Sequence, residues 1–299
     1  MIKKIFSFTF ILTLLIFSCS SDNDDNSSEV WEQKSEMLTN WADNFISPSY
    51  TTLTNKLVLL EEAGNTFANL PDQQNLDVLR TSFINAYMSW QHVEMFDIGL
   101  AEVNYYKSKM NIYPTTVSRI ELNIQNGNTD FNNSNNYSAQ GFPALDYLLY
   151  GINSSDELIL SKYNTEPQYL SYLSQVINQM LQNTSPIVED WQSYRNTFIS
   201  SVENTATSSV NKMTNDFIYY YEKGFRANKF GIPAGVFSGG AFPEKVEAFY
   251  NQNISKALAL EGFQAIKNFY NGNGGVSLRQ YISEVSTDEY SDLSTDILD

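Results

Sequence analysis

The spacing of the apolar residues is what most constrains this chain. Leu76, Leu79, Phe83, Tyr87, Trp90 and Val93 step by three or four, so a helix carries them all on one face. Pro71 and Asp72 stand just ahead as a start signal, and Gly99 marks an end. The same spacing runs through Trp31, Leu38, Trp41 and Phe45 before Pro48, and through Leu53, Leu57, Leu60, Gly64 and Phe67 before Pro71. It returns in Tyr169, Leu173, Val176, Ile177 and Met180, and in Val188, Trp191, Tyr194, Arg195 and Phe198 after Pro186. Val210, Met213, Phe217, Tyr220 and Tyr221 form another stripe, and Val246, Phe249, Tyr250, Ile254, Ala257 and Leu258 a further one. Strand signals are scarce. With 42% hydrophobic residues in 299, the chain can fill a sizeable core. The expectation is an all-α protein of two up-and-down helical bundles packed side by side.

The polar stretch GINSSDE places the boundary between the bundles, giving residues 30–153 and 154–299. The Asn-rich run NGNTDFNNSNNYS reads as a loop delivering the chain to GFPALDYLLYG, residues 141–151. At the far end DLSTDILD offers about two turns of helix, too few to be stable alone. That tail either packs on the second bundle or marks a missing final helix.

The amino end is a separate matter. Lys3 and Lys4 precede an apolar run from Ile5 to Phe17, about the length of a signal-peptide core and short for a bilayer span. It ends at Ser18–Cys19, which resembles a bacterial lipobox. In that reading residues 1–18 are a lipoprotein signal peptide and Cys19, the only cysteine, carries the lipids that hold the chain to a membrane. Residues 19–29 read as a disordered acidic tether. They resemble the acidic export signals of some surface lipoproteins, so an outer-membrane location, open to the cell surface, is expected.

Chemistry is restricted by what is missing. The net charge of −16 argues against nucleic acid. His92 is the single histidine, so a zinc-protease helix with two histidines cannot be made. No nucleophile-elbow sequence accompanies it. Glu94 and Asp97 share a helical face, either as a solvated edge or as part of a pocket at the end of that helix. The stretch 228–244, NKFGIPAGVFSGGAFPE, is rich in glycine and proline and reads as a shaped loop, structural or ligand-facing. Tyr219, Tyr220 and Tyr221 ahead of it point about 100° apart, so at most one or two can face a common pocket.

Three blocks together give the chain its likeness: WQHVEMFDIG with Tyr113–Pro114 beyond it, GFPALDYLLYG, and the run from FIYYYEKGF to KNFYNG. The chain resembles the imelysin-like family, which includes the iron-regulated protein A lipoproteins. The resemblance implies two related helical bundles with a site between them, in a cell-envelope protein associated with iron uptake. It also implies a G-x-H-x-x-E motif, from a family named for metallopeptidase activity. Here Gly141 matches the glycine, Pro143 stands at the histidine and Asp146 at the glutamate. Proline has no ligand atom, so peptidase activity is not expected. The leading reading is a non-enzymatic lipoprotein that binds iron, haem or another ligand at the bundle interface, alongside iron- or haem-uptake partners. Its candidate ligand residues are Trp90, Gly141, Asp146, Tyr220, Lys229 and Pro233, with Asp146 and His92 as the metal candidates. The competing readings are an adhesion or scaffold lipoprotein with a decayed site, and a metallopeptidase.

Overall fold

A computed structural model describes residues 24–286. The signal peptide, Cys19 and the tail DLSTDILD lie outside the described residues. Within them the protein is all-α. No described helix is long and apolar enough to cross a membrane.

Helix α1 (Asp24–Asn40) passes through a π-helical turn (Trp41–Ile46) directly into α2 (Ser47–Asn69), making one continuous rod. Pro48 therefore does not end a helix, contrary to the sequence reading. The π-turn shifts the hydrogen-bond register, so that the Ser47 N–H bonds to the Ala42 carbonyl five residues back. Pro48 follows at the first turn of α2, where its missing donor and its ring are accommodated. The rod also takes in residues 24–29, the later part of the stretch read as a tether.

Asp72 starts α3 (Gln73–Trp90) by accepting the Asn75 N–H at 2.9 Å. Short helices α4 (Leu100–Val103), α5 (Tyr106–Met110) and α6 (Val117–Asn126) follow, then α7 (Gly141–Asp146) with a π-helical extension, Tyr147–Gly151. Ser155 caps α8 (Asp156–Thr165). Helix α9 (Pro167–Ser200) runs 34 residues straight through Pro186, with Met180, Ile187 and Trp191 buried on either side of it. Helix α10 (Ser209–Tyr219) continues as a long π-helical segment (Tyr220–Gly231). The last elements are α11 (Gln252–Asn271) and α12 (Leu278–Val285).

Packing between the long helices crosses the 153/154 division. Helix α9, which begins beyond that division, packs along α2 and touches α4 to α8. Helix α1 meets α9 as well as α10 and α12. The apolar stripe of a long amphipathic helix is buried by whichever face complements it, and sequence order does not decide that. Buried side chains form one cluster spanning both groups: Trp41 of α1–α2 stacks on Phe269 of α11, with ring centroids 4.9 Å apart. Helices α3 and α11 meet across the seam, and the polar site lies there.

Candidate functional site

Four segments bring charged and polar side chains into this seam. The end of α3 and the turn after it supply Gln91 and Glu94, and the residue after α5 supplies Asn111. The π-helical segment supplies Tyr220 and Lys229, and the stretch before α11 supplies Glu247. Lys229, Glu247 and Glu94 are 4%, 2% and 6% exposed, so this is a charge cluster inside the protein. The Lys229 Nζ donates to Glu247 Oε2 at 2.5 Å and to Gln91 Oε1 at 2.7 Å, and lies 3.4 Å from Glu94 Oε2. Asn111 Nδ2 donates to Glu94 Oε1 at 3.0 Å and to Glu247 Oε1 at 2.8 Å, bridging the two carboxylates. Gln91 Nε2 also donates to Glu247 Oε1, at 3.1 Å, and the Tyr87 hydroxyl donates to Asn111 Oδ1 at 2.8 Å. Gly262 of α11 lets that helix close over the cluster, since a Cβ there would lie 3.2 Å from Gln91 Oε1 and 3.3 Å from the Tyr220 hydroxyl.

Burial opposes the Lys229 charge, but Glu247 and then Glu94 more than offset it, so the ammonium is held above its ordinary value. Burial pushes the Tyr220 and Tyr113 phenols well up, and both carboxylates add to the effect. Three oxygens here complete no hydrogen bond: Glu94 Oε2, the Tyr113 hydroxyl and the Tyr220 hydroxyl. Buried polar atoms are almost always paired, because an orphan costs about 1–3 kcal/mol. Of the three, Glu94 Oε2 still faces the Lys229 ammonium at 3.4 Å, and the two phenols are the groups left without an acceptor.

Tyr113 also lines a cavity of about 180 Å³, together with Pro143, Asp146, Glu244, Ala248 and Tyr250. The 141–146 motif forms its wall. Gly141 has φ +74°, and a Cβ there would stand 2.2 Å from the Met110 carbonyl oxygen, so only glycine fits. Asp146 is 1% exposed and spends both oxygens on backbone, accepting the Tyr250 N–H at 2.8 Å and the Asn251 N–H at 2.9 Å. Burial pushes its carboxyl up to about 7, against the pull of those two bonds. Asp146 thereby fixes the segment 247–251, in which Ala248 takes a left-handed φ of 55° and Glu247 is aimed into the cluster. The metal implied by the resemblance does not fit these positions. Pro143 offers no ligand atom, and the Asp146 lone pairs face amides.

Tyr220 and Lys229 thus meet in one cluster, and Asp146 supports it from behind. Tyr219 and Tyr221, at 57% and 39% exposure, point outward. Trp90 lies in the aromatic core, 5.5 Å from Tyr106 and 5.9 Å from Phe142 by ring centroids. Pro233 serves the loop, its carbonyl accepting the Phe242 N–H at 2.8 Å. His92 does not join Asp146: its Nε2 pairs with Glu261 Oε1 at 2.6 Å, beside a separate cavity lined by Pro48, Ser49, Thr52 and Met88. Among the described residues no group of three or more His, Cys, Asp or Glu could hold a metal ion. Sequence reasoning missed Glu247, Gln91 and Asn111. The one available signal was Glu247 itself, a lone acid in the apolar run VEAFY.

Comparison with known proteins agrees with this architecture. A crystal structure of an iron-regulated protein A precursor from Parabacteroides distasonis ATCC 8503 superposes with a TM-score of 0.72 at 17% identity, covering 94% of this chain and 85% of that one. An imelysin-like protein from Psychrobacter arcticum 273-4 superposes at 0.69 with 16% identity, covering 94% and 83%. No curated protein matches the chain. The imelysin (peptidase M75) family profile matches residues 46–297, which takes in α2 to α12 and every residue of the cluster. The chain belongs to the imelysin family.

Proposed function

We propose that this imelysin-family protein is a lipid-anchored outer-membrane protein that holds a small cationic ligand at the α3–α11 seam, without catalysis, in the service of iron acquisition. The observation that carries this reading is the buried charge cluster itself, in which the Tyr113 and Tyr220 hydroxyls complete no hydrogen bond and Glu94 Oε2 meets only the Lys229 ammonium, at 3.4 Å. Glu94 and Glu247 against Lys229 leave one net negative charge inside the protein, so a cationic guest is favoured over an anion. The cavity of about 180 Å³ behind the cluster, which Tyr113 lines and no residue of α3 or α11 does, lies below the roughly 300–1,000 Å³ of pockets for drug-sized ligands and is too small for a haem macrocycle. The names of the structural neighbours and the lipobox at Ser18–Cys19 support the envelope and iron setting.

The test is calorimetric titration of the mature chain with ferrous ion under anaerobic conditions and, separately, with haem. Ferrous ion should bind, and Glu94→Gln should weaken it at least tenfold. Binding of neither probe, or binding indifferent to Glu94→Gln, refutes the reading. The scaffold alternative is favoured by one observation, that Asp146 is fully used by backbone amides.

A further inference from the structure

Helix α11 has an outward side that packing does not account for. Lys256, Leu260, Phe263 and Lys267 recur there at helical spacing, and Leu260 and Phe263 are exposed. Phe263 stacks on Phe225 of the π-helical segment with ring centroids 5.8 Å apart. Phe230 meets the same ring edge-on at 5.3 Å while itself 50% exposed. The loop that follows extends this surface. Its base is closed by the Phe242 N–H on the Pro233 carbonyl, and Gly235 lies so near Gly240 that a Cβ would stand 2.1 Å from the Gly240 carbonyl oxygen. The tip holds Val236 and Phe237 out at 69% and 59% exposure. Gly231 seats the Phe237 ring, since a Cβ there would stand 2.7 Å from it, so the ring is placed against the π-helical segment.

Large apolar side chains held together in solvent mark a surface that is covered in use. Charge indicates by what. Residues 230–243 contain no charged residue, and around them the sequence turns basic. Residues 222–267 hold six lysines and arginines against four glutamates, a net +2 in a chain of −16, so the rest of the chain carries −18. Within this set Lys229 pairs with Glu247 inside the protein, and Arg226 pairs with Glu222. Lys223, Lys245, Lys256 and Lys267 remain, and among the described residues none of them forms an ion pair. Lys245 and Lys267 lie over the Phe242 and Phe263 rings, at 4.4 and 5.6 Å. A second copy of the chain would set these cations against one another. An anionic lipid surface complements them and accepts the apolar tip as well.

We propose that the outer side of α11, the π-helical segment and the 232–242 loop form a face that docks on an anionic lipid surface. Val236 and Phe237 enter the head-group region, where aromatic rings are at home. The four free lysines meet lipid phosphates, and their aliphatic stems lie along the apolar centre of the face. Salt limits the reach of lipid charge to about 8 Å at physiological ionic strength, so the cations on the face act while acids elsewhere are screened. Two apolar side chains and a few cations give reversible contact rather than permanent anchoring. The face uses no residue of the seam cluster, and it needs no lipid on Cys19.

The experiment uses the mature chain with Cys19→Ser, so that no lipid anchor contributes, and sedimentation with vesicles of phosphatidylglycerol and phosphatidylcholine in equal parts. The chain should bind, and should bind pure phosphatidylcholine at least tenfold more weakly. Raising salt from 0.1 M to 1 M shortens the screening length from about 10 Å to about 3 Å and should also weaken binding at least tenfold. Lys256→Gln with Lys267→Gln should cost about 30-fold, at roughly fivefold per cation. Val236→Ser with Phe237→Ser should cost at least tenfold. Lys109→Gln with Arg119→Gln, which removes the same charge from α5 and α6, should change binding less than about threefold. No sedimentation with the anionic vesicles, binding indifferent to salt, or binding unchanged in both face variants overturns the proposal. A dimer seen by light scattering and dissociated by the Val236→Ser/Phe237→Ser pair would assign the face to a second copy and overturn it too. Should a face variant fail to fold, the lipid and salt dependence of the unaltered face decides.

Discussion

Replacing Lys229 by methionine keeps the aliphatic stem and deletes the ammonium. Its side chain is 1% exposed and its Nζ touches Glu247 at 2.5 Å, Gln91 at 2.7 Å and Glu94 at 3.4 Å. Water cannot take over those contacts. Removing one member of a buried charge set while its partners stay buried costs about 3–5 kcal/mol. Two carboxylates depend on this one cation, so the upper part of that range is expected. Against a total stability of roughly 5–15 kcal/mol, the variant should lose a third or more. The assay is equilibrium urea denaturation followed by circular dichroism, with the loss read by linear extrapolation. Lys229 is held above its ordinary 10.5, so its contribution is fully present below that pH and is lost only as pH rises through the higher folded value. The wild-type contribution should therefore be flat from pH 5 to pH 9. Adding Glu247→Gln to Lys229→Met should recover part of the loss, because one stranded charge is gone. A loss under about 1 kcal/mol, or a double variant no better than the single, would show that the cluster is not a buried ion set.

Gly141→Ala must place a Cβ 2.2 Å from the Met110 carbonyl at φ +74°. It should cost roughly 2–5 kcal/mol from backbone strain and overpacking together, and a loss under about 1 kcal/mol in the same urea assay contradicts the geometry. Asp146 has a folded value of about 7 against an ordinary 3.8, so between those values the folded protein binds more protons than the unfolded chain. Stability should therefore fall as pH rises from about 4 to about 7, by up to about 4 kcal/mol. Asp146→Asn should flatten that decline in pH-resolved denaturation, and an unchanged slope would assign the decline to other groups.

Much of the helical plan was legible because it depends on local periodicity. Leu76, Leu79, Phe83, Tyr87 and Trp90 all turn inward as their spacing requires. What stayed hidden depends on pairing at long range. Nothing local says that the Pro48 region passes through a π-turn, or that α9 returns to lie along α2. At the site, Lys229 and Tyr220 stood out for their place beside an unusual loop. Glu94 could equally have been a solvated edge, and only the fold shows that it is buried against a lysine 135 positions away in the chain. Glu247 was legible as an oddity and no more. Gly141 and Asp146 were singled out for motif positions, and the structure gives them other work: one permits a close backbone approach, and the other anchors the segment carrying Glu247.

The continuous rod from Asp24 to Asn69 has a mechanical consequence. Its last part lies along α9, and its first part touches α9 as well as α10 and α12, so it acts as an axle common to both groups. Two bodies fixed to one axle cannot swing apart like the jaws of a clamp. A guest reaching Glu94 must enter by smaller movements, of the 232–251 segment or of the Tyr113 ring, or by slight bending at the π-turn itself. That turn is the place where the axle can yield, and the stiffness of a single helical joint would then govern how readily the seam opens.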